Sequence, residues 1–219
     1  MKNWHLNINN PTIIVQAEDF GFGPTSLALS IVEKLIQKRL KNHEIVFVGS
    51  GVSMQLAKLS HYFNRYISFN ITDENEMETK RHLFGDVKLF ISVVSPMGAK
   101  LSLKQGFKTA YVDPLFWFFN HIDSDLEKVE YYFVQKFEDT EIHQQRLNFT
   151  HSNLISTEWI TRGIPSLSVL KKLMPLFCKE KSERELFKSF LFDKEKEFIL
   201  INFGGVDNFL SETSIYPEK

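Results

Sequence analysis

Strand-like and helix-like segments alternate along the chain as far as residue 135, and this alternation limits the fold more than any other feature. The first unit consists of a β-branched run, Thr12–Ala17, a glycine-bearing loop over 21–24, and apolar positions at helical spacing over 25–39. Pro24 suits the first turn of that helix. Strands that alternate with helices of about 10–15 residues predict right-handed crossovers and a parallel sheet.

The same alternation continues beyond the first unit. Further strands are predicted at 44–48, 66–71, 87–94, 107–112 and 131–135, and helices are predicted through 54–59, 74–84 and 96–105. Thr72 and Asp73 have side chains suited to capping the second of those helices. Residues 136–160 are polar and show no clear periodicity. The predicted fold class is therefore α/β, with a Rossmann-like parallel sheet covered by helices on both faces.

Another apolar strand runs into a double glycine near the C-terminus, at 198–205. A predicted helix over 164–177 and a highly charged stretch precede this strand. We expect a first domain over 1–178 and a charged connector over 179–197. Residues 198–219 are expected to be either the start of a truncated second domain or a strand that packs back on the first.

The overall composition is that of an average globular protein. The chain of 219 residues is 43% hydrophobic and 24% charged, which predicts a sizeable core. Its formal net charge of -1 removes the usual electrostatic case for nucleic acid binding. Cys178 is the only cysteine, so we expect a reducing compartment and no disulfide framework. The sequence shows neither a signal peptide nor an apolar run of about 18 residues, and these features together predict a cytoplasmic protein with no transmembrane segment.

The loop between the first strand and the first helix is the leading candidate for a ligand site. In open α/β sheets, ligands bind beyond the carboxyl ends of the strands. Gly21 and Gly23 let the backbone approach a ligand, and the following helix N-terminus favours an anion. A tight turn that binds nothing is the alternative, because the third glycine of a dinucleotide-binding loop is lacking. Glu18 and Asp19 could act as a general base, or could be solvated or helix-capping acids.

Two other loops also follow predicted strands. Ser95 and Met97 lie in the loop over 92–98, which could line a cleft or form a plain turn. Trp117 belongs to an aromatic run over 113–119 that could stack on a sugar or pack into a core. The seven histidines have no metal-ligand spacing, and neither a Walker A sequence nor a hydrolase nucleophile elbow occurs. We therefore predict no metal site and no tightly bound cofactor.

Four short stretches resemble glycosyltransferases of the GT-B fold. The stretch over 21–29 is similar to the glycine loop and first helix of that family, and 43–51 looks like its second strand. Residues 106–113 resemble a glycine-to-aspartate stretch of the first domain, and 198–208 resembles the opening strand and loop of the donor domain. The resemblance implies the acceptor-side half of an enzyme that transfers a sugar from a nucleotide-sugar donor to a small-molecule or lipid acceptor.

The resemblance also implies roles for particular residues. Relatives often place a catalytic histidine where this chain has Pro24, so Asp19 or Glu18 would have to replace it as the base. The acceptor-binding residues would be Phe20, Gly21, Phe22, Gly23, Ser95, Met97 and Trp117, and the donor-binding residues would be Gly204 and Gly205. A donor-binding domain or subunit would be the missing partner, and we expect little activity from this chain alone. The alternatives are a non-catalytic Rossmann-like module for ligand binding or subunit interaction, and another enzyme of the same architecture such as a sugar-nucleotide epimerase.

Overall fold

The computed structural model describes residues 11–37, 43–71, 73–136 and 140–158. The strands are β1 Thr12–Ala17, β2 Glu44–Gly49, β3 Arg65–Ser68, β4 Val87–Val93, β5 Thr109–Asp113, β6 Tyr131–Gln135 and β7 Leu154–Thr157. The α-helices are α1 Phe22–Gln37, α2 Gly51–Ser60, α3 Glu74–Lys80, α4 Pro96–Lys104 and α5 Thr140–Leu147. Short 3-10 turns occupy Arg81–Leu83, Phe116–Phe118 and Ser124–Lys128.

The seven strands form one sheet in the order β3-β2-β1-β4-β5-β6-β7, and every neighbouring pair is parallel. The central strand β1 is buried along its whole length, which explains its uninterrupted β-branched run. Its Ile14 lies opposite Val46 of β2 and Phe90 of β4. The strand order reverses between β1 and β4, so loops from both strands meet at the same edge of the sheet. The Rossmann-like α/β fold class predicted from the sequence is therefore confirmed.

Helices pack on the sheet through alternate residues of the strands. Right-handed crossovers place α1 and α2 on one face and α3 and α4 on the other. On the second face, Met77 of α3 and Leu101 of α4 pack in one core cluster with Ile14, Val46 and Phe90. A second cluster contains Tyr111, Phe116, Tyr132 and Phe149 around the β5 and β6 strands. Of the 21 phenylalanines in the chain, seven are thus buried among the described residues.

Several predicted boundaries move by a few residues. Helix α1 begins at Phe22 rather than Thr25, because a proline at position 24 is tolerated within the first turn, where backbone N–H groups have no helical partner. Strand β3 ends at Ser68, although the buried side chains of Phe69 and Ile71 extend the apolar pattern beyond it. Asp73 caps α3 as predicted, accepting hydrogen bonds from the Asn75 and Glu76 amides, whereas Thr72 lies outside the described residues.

The segment without a clear pattern, 136–160, contains α5 and β7, the last helix and strand in the described part of the chain. Helix α5 is largely polar, and the edge strand β7 is half exposed, so neither carries the apolar signal of a core element. The predicted helix over 164–177, the connector and the strand over 198–205 lie outside the described residues, and the domain boundaries stay predictions. Within the described ranges, no helix combines the length and apolarity that a bilayer crossing requires.

Candidate functional site

The glycine loop lies where the strand order reverses. It leaves β1, and the Glu18 amide donates to the Val93 carbonyl at the end of β4 with an N···O distance of 3.2 Å. Open space borders the loop at its glycines: a Cβ added to Gly21 or Gly23 would meet no other heavy atom of the described residues within 4 Å. The loop is thus anchored at its base and open at its tip.

The N-terminus of α1 has no acidic side chain in its first turn, so its partial positive charge is not neutralised from within the helix. Thr25, in the same turn, has no exposed surface, and its Oγ1 has no hydrogen-bond partner among the described residues. A buried hydroxyl without a partner costs about 1–3 kcal/mol, so such groups are usually paired with protein, water or ligand. Because no water-sized molecule reaches this oxygen, an oxygen-bearing ligand would pair with it only if the first turn moved on binding.

Val94 adds a strained backbone at the same edge. It follows β4 directly and has a φ of 61°, in the left-handed region that β-branched residues rarely adopt. Its amide donates to the Val112 carbonyl at 2.9 Å, which holds this conformation between two strands. Strain of this kind costs on the order of 1–3 kcal/mol and is concentrated at functional sites.

A buried polar network lies beneath the N-terminus of α4. The Ser92 hydroxyl lies 2.8 Å from Gln16 Oε1 and 2.7 Å from the Ser95 carbonyl. A hydroxyl has one proton and can donate to only one of the two. Rotating the Gln16 amide by 180° lets its Nε2 donate to Ser92 while Ser92 donates to Ser95, and the side-chain O and N assignment permits this. One end of the Gln16 amide is left without a partner among the described residues in either orientation.

The second predicted loop contains a helix cap. Ser95 is fully buried, and its hydroxyl accepts a hydrogen bond from the Gly98 amide in the first turn of α4. Gly98 is required there, since an added Cβ would lie 2.5 Å from Gln16 Oε1. Met97 is 42% exposed in the same turn. Of the two acceptor-binding residues predicted in this loop, Met97 is therefore exposed to solvent and Ser95 is not.

Asp19 reaches from the glycine loop to the N-terminus of α2. Its Oδ1 accepts a hydrogen bond from the Ser53 amide at 2.8 Å, and its Oδ2 accepts one from the Ser50 hydroxyl at 3.1 Å. Glu18 accepts a hydrogen bond from the Asp19 amide through Oε1 at 3.2 Å. This is the geometry of the helix-capping alternative, with the difference that the capped helix is α2 rather than the adjacent α1. Both carboxylate oxygens of Asp19 are engaged.

A buried carboxyl group, Asp113, ends β5. Its Oδ2 accepts from the Tyr132 hydroxyl at 2.7 Å, and its Oδ1 accepts from the Leu115 amide at 2.9 Å. Burial raises the pKa of Asp113 to about 6, against the smaller opposing effect of these hydrogen bonds. Burial also raises the pKa of Tyr132 well above its usual value. Asp113 is not among the predicted site residues, although it ends the stretch over 106–113 and is followed by proline at the end of a buried strand.

The aromatic run after β5 contributes to the core at one position. Phe116 is 2% exposed and contacts the rings of Tyr132, His143 and Phe149. Trp117 follows it in the 3-10 turn Phe116–Phe118. Of the two alternatives given for this run, stacking on a sugar or packing into a core, Phe116 follows the second.

The remaining predicted site residues are distributed as follows. Phe20 and Phe22 are half-buried beside the loop glycines. Gly204 and Gly205 lie outside the described residues. In the described ranges, no three His, Cys, Asp or Glu side chains are grouped so that they could hold a metal ion.

No protein-family model matches the chain, and no curated protein matches its sequence. Similar solved structures have low sequence identity. ADP-heptose LPS heptosyltransferase II from E. coli is 14% identical with a TM-score of 0.36, over 63% of this chain and 33% of the heptosyltransferase. A short-chain dehydrogenase/reductase from Saccharomyces cerevisiae is 14% identical with a TM-score of 0.36, over 74% of this chain and 82% of that protein.

Glucose-6-phosphate 1-dehydrogenase from Mycobacterium avium is 12% identical with a TM-score of 0.34, over 48% of this chain and 30% of the dehydrogenase. The chain thus matches about a third of the length of this dehydrogenase and of the heptosyltransferase. The strand order and the crossovers define the described residues as a Rossmann-like α/β module.

Proposed function

We propose that this module binds a small phosphate-bearing ligand of the nucleotide class at the edge where β1 and β4 diverge, with the phosphate at the N-terminus of α1. The observation that carries the proposal is the first turn of α1. This turn has no internal acid, open space at Gly21 and Gly23, and a buried Thr25 hydroxyl without a partner among the described residues. Backbone N–H groups and the helix dipole favour an anion at such a position.

The position of the carboxylate nearest the loop agrees with a phosphate at the N-terminus of α1. Asp19 is the carboxylate that would otherwise be closest in sequence to α1, but hydrogen bonds direct it to α2. The strained backbone of Val94 lies at the adjoining end of β4, where a ligand in the crevice would also pass. Met97 supplies an exposed apolar side chain near the same edge for an uncharged part of the ligand.

A titration followed by NMR tests the proposal. Inorganic phosphate, AMP, UDP and UDP-glucose are added separately to the ¹⁵N-labelled full chain, and the amides of residues 21–26 are followed. We expect saturable shifts centred on Gly21, Phe22 and Gly23 for at least one nucleotide. Absence of such shifts with all four compounds would contradict the proposal.

The matched variants are Gly23→Asp and Gly23→Asn. Both side chains enter open space, but only aspartate places a negative charge at the α1 N-terminus. We expect Gly23→Asp to weaken nucleotide binding by about tenfold or more through like-charge repulsion, while the helix itself gains from an acid in its first turn. Gly23→Asn controls for size, and equal binding by the two variants would argue against a phosphate at this turn.

A narrower proposal keeps the glycosyltransferase role, in which the module presents a small-molecule or lipid acceptor to a nucleotide-sugar donor held elsewhere. The sequence resemblance supports it. Because both Asp19 oxygens are engaged, Glu18 is the better candidate for the base in this version. In a transfer assay supplied with a donor-binding partner, Glu18→Gln is expected to lower kcat with little change in acceptor KM. Unchanged kcat in that variant would remove Glu18 from the reaction.

A further inference from the structure

Helices α1 and α2 follow neighbouring strands and begin at the same edge of the sheet, but their N-termini differ in whether a carboxylate already occupies them. We propose that Asp19 is a specificity-determining residue: as a built-in anion at the N-terminus of α2, it excludes a second anionic group and restricts the ligand to one phosphate cluster, held at α1. This inference deepens the proposed function and rests on it for the identity of the ligand.

The contacts of Asp19 are those of a bound anion. One oxygen takes the Ser53 amide of the first turn of α2, and the other takes the Ser50 hydroxyl at the start of the helix. Ser50 has the extended backbone of an N-cap residue, but its side chain does not cap α2. The first turn of α2 contains no acidic residue of its own. Asp19 is therefore the group that neutralises this helix end.

The space around the carboxylate is closed on the side of α2. A Cβ added to Gly51 would lie 2.2 Å from Asp19 Oδ2 and 3.0 Å from its Cγ. Gly51 also has a φ of 42°, a conformation that glycine adopts at no steric cost. A second anion therefore meets both a filled volume and a like charge at this position.

The two helix ends are close enough to contact one extended ligand. β1 and β2 are neighbouring parallel strands, and α1 and α2 lie against each other. Packed helices are about 8–10 Å apart, a distance that a nucleoside bisphosphate spans. Without Asp19, the N-terminus of α2 would offer its amides and dipole to the second phosphate.

A comparison of the affinities for AMP and adenosine 2′,5′-bisphosphate tests whether a second phosphate is excluded, because the two compounds differ by one phosphate. We expect the wild-type chain to bind AMP more tightly than the bisphosphate. In Asp19→Ala, the ratio of bisphosphate to AMP affinity is expected to rise by about tenfold or more, since the vacated helix end accepts the second phosphate. In Asp19→Asn, which keeps an acceptor for the Ser53 amide, the ratio is expected to rise by about threefold through loss of charge alone. Asp86→Asn removes an exposed carboxylate at the other end of β4 without opening α2 and is expected to leave the ratio unchanged.

A titration with inorganic phosphate separates this inference from the proposed function. In Asp19→Ala, phosphate is expected to shift the Ser53 amide in a saturable way, and in the wild type it is not. If no nucleotide binds the wild type, the proposed function fails, and the Ser53 shift still decides whether Asp19 occupies an anion site. A folded Asp19→Ala chain with no Ser53 shift overturns the inference. If Asp19→Ala fails to fold, an unchanged affinity ratio in Asp19→Asn overturns it instead.

Discussion

The first two strand–loop–helix units of this sheet are alike in sequence and differ at their helix ends. Both place glycine where the chain enters a helix, at Gly23 in α1 and at Gly51 in α2. Gly23 borders open space, whereas Gly51 makes room for the Asp19 carboxylate. The same residue type thus leaves one helix N-terminus available and allows the other to be closed by an internal anion. Glycine spacing alone does not distinguish the two situations.

Alanine at the two glycines gives the largest expected contrast. Gly51→Ala forces a left-handed backbone on alanine and displaces Asp19 from its cap, so we expect a loss of about 2–3 kcal/mol in the free energy of unfolding. Gly23→Ala enters open space inside a helix and is expected to gain up to about 1 kcal/mol. Urea unfolding of the two variants measures the difference. Equal effects would mean that the two helix ends are not distinct.

Asp113, another carboxyl group at this edge, contrasts with Asp19. Its hydrogen bonds come from the Tyr132 hydroxyl and the Leu115 amide rather than from the N-terminus of an α-helix. Its folded pKa of about 6 lies above the usual unfolded value, so the folded state binds the proton more tightly. Stability from this group is therefore full below about pH 4 and falls as the pH rises toward about 6, by about 3 kcal/mol in all. Urea unfolding between those pH values measures the slope.

Asparagine at position 113 is the control for that slope. Its amide can accept from the Leu115 N–H and donate to the Tyr132 hydroxyl, so the local hydrogen bonds are kept without a titrating group. We expect Asp113→Asn to flatten this part of the pH profile and to match or exceed the wild-type stability at pH 7. A variant that retains the full wild-type slope would show that other groups cause it.

Asp19 itself is expected to contribute a smaller amount to stability. Asp19→Ala leaves the Ser53 amide without its acceptor and is expected to cost about 1 kcal/mol, the usual value of a helix cap. Asp19→Asn keeps an acceptor for the Ser53 amide and is expected to cost only a few tenths of a kcal/mol. This loss comes from the missing interaction between the charge and the helix dipole, which salt screens. Thermal unfolding at low and high salt separates the two contributions. A cost for Asp19→Ala that disappears entirely in high salt would reduce the cap to electrostatics alone.

The sequence predicted the elements that are buried on both faces. Strands β1 and β4 were predicted correctly because strands buried on both faces are continuously apolar and are therefore recognisable in the sequence. Ile14 of β1 and Phe90 of β4, for example, have no exposed surface. Helix α5 and strand β7 were missed because they are polar and lie toward an edge of the sheet. Helix α5 is held by tertiary contacts, such as the one between His143 Nε2 and the Phe116 carbonyl, 27 residues apart.

The place of the glycine loop in the fold was predicted, but its contacts were not, and its role as a ligand site stays a prediction. A strand followed by glycines and a helix identifies the loop at 18–24 from local sequence alone. The bond between Asp19 and the Ser53 amide joins residues 34 positions apart, and no local pattern encodes it. The burial of Asp113 likewise depends on the neighbouring β6 strand, which brings Tyr132 to its carboxyl group.

The smallest expected effect concerns the open helix end. Thr25→Val replaces a buried hydroxyl that has no partner among the described residues by a methyl group of the same shape. We expect the ligand-free protein to gain about 0.5–1 kcal/mol, because the cost of an unpaired buried group is removed. Thr25→Ser keeps the hydroxyl and is the matched control, with a small loss from the missing methyl. If the bound nucleotide forms a hydrogen bond with the hydroxyl at position 25, the order of stability of the two variants should reverse when a nucleotide is present. Only Thr25→Ser keeps a hydroxyl that can form this bond. A stability loss in Thr25→Val without any loss of binding would place the partner of Thr25 in the protein or its water rather than in the ligand.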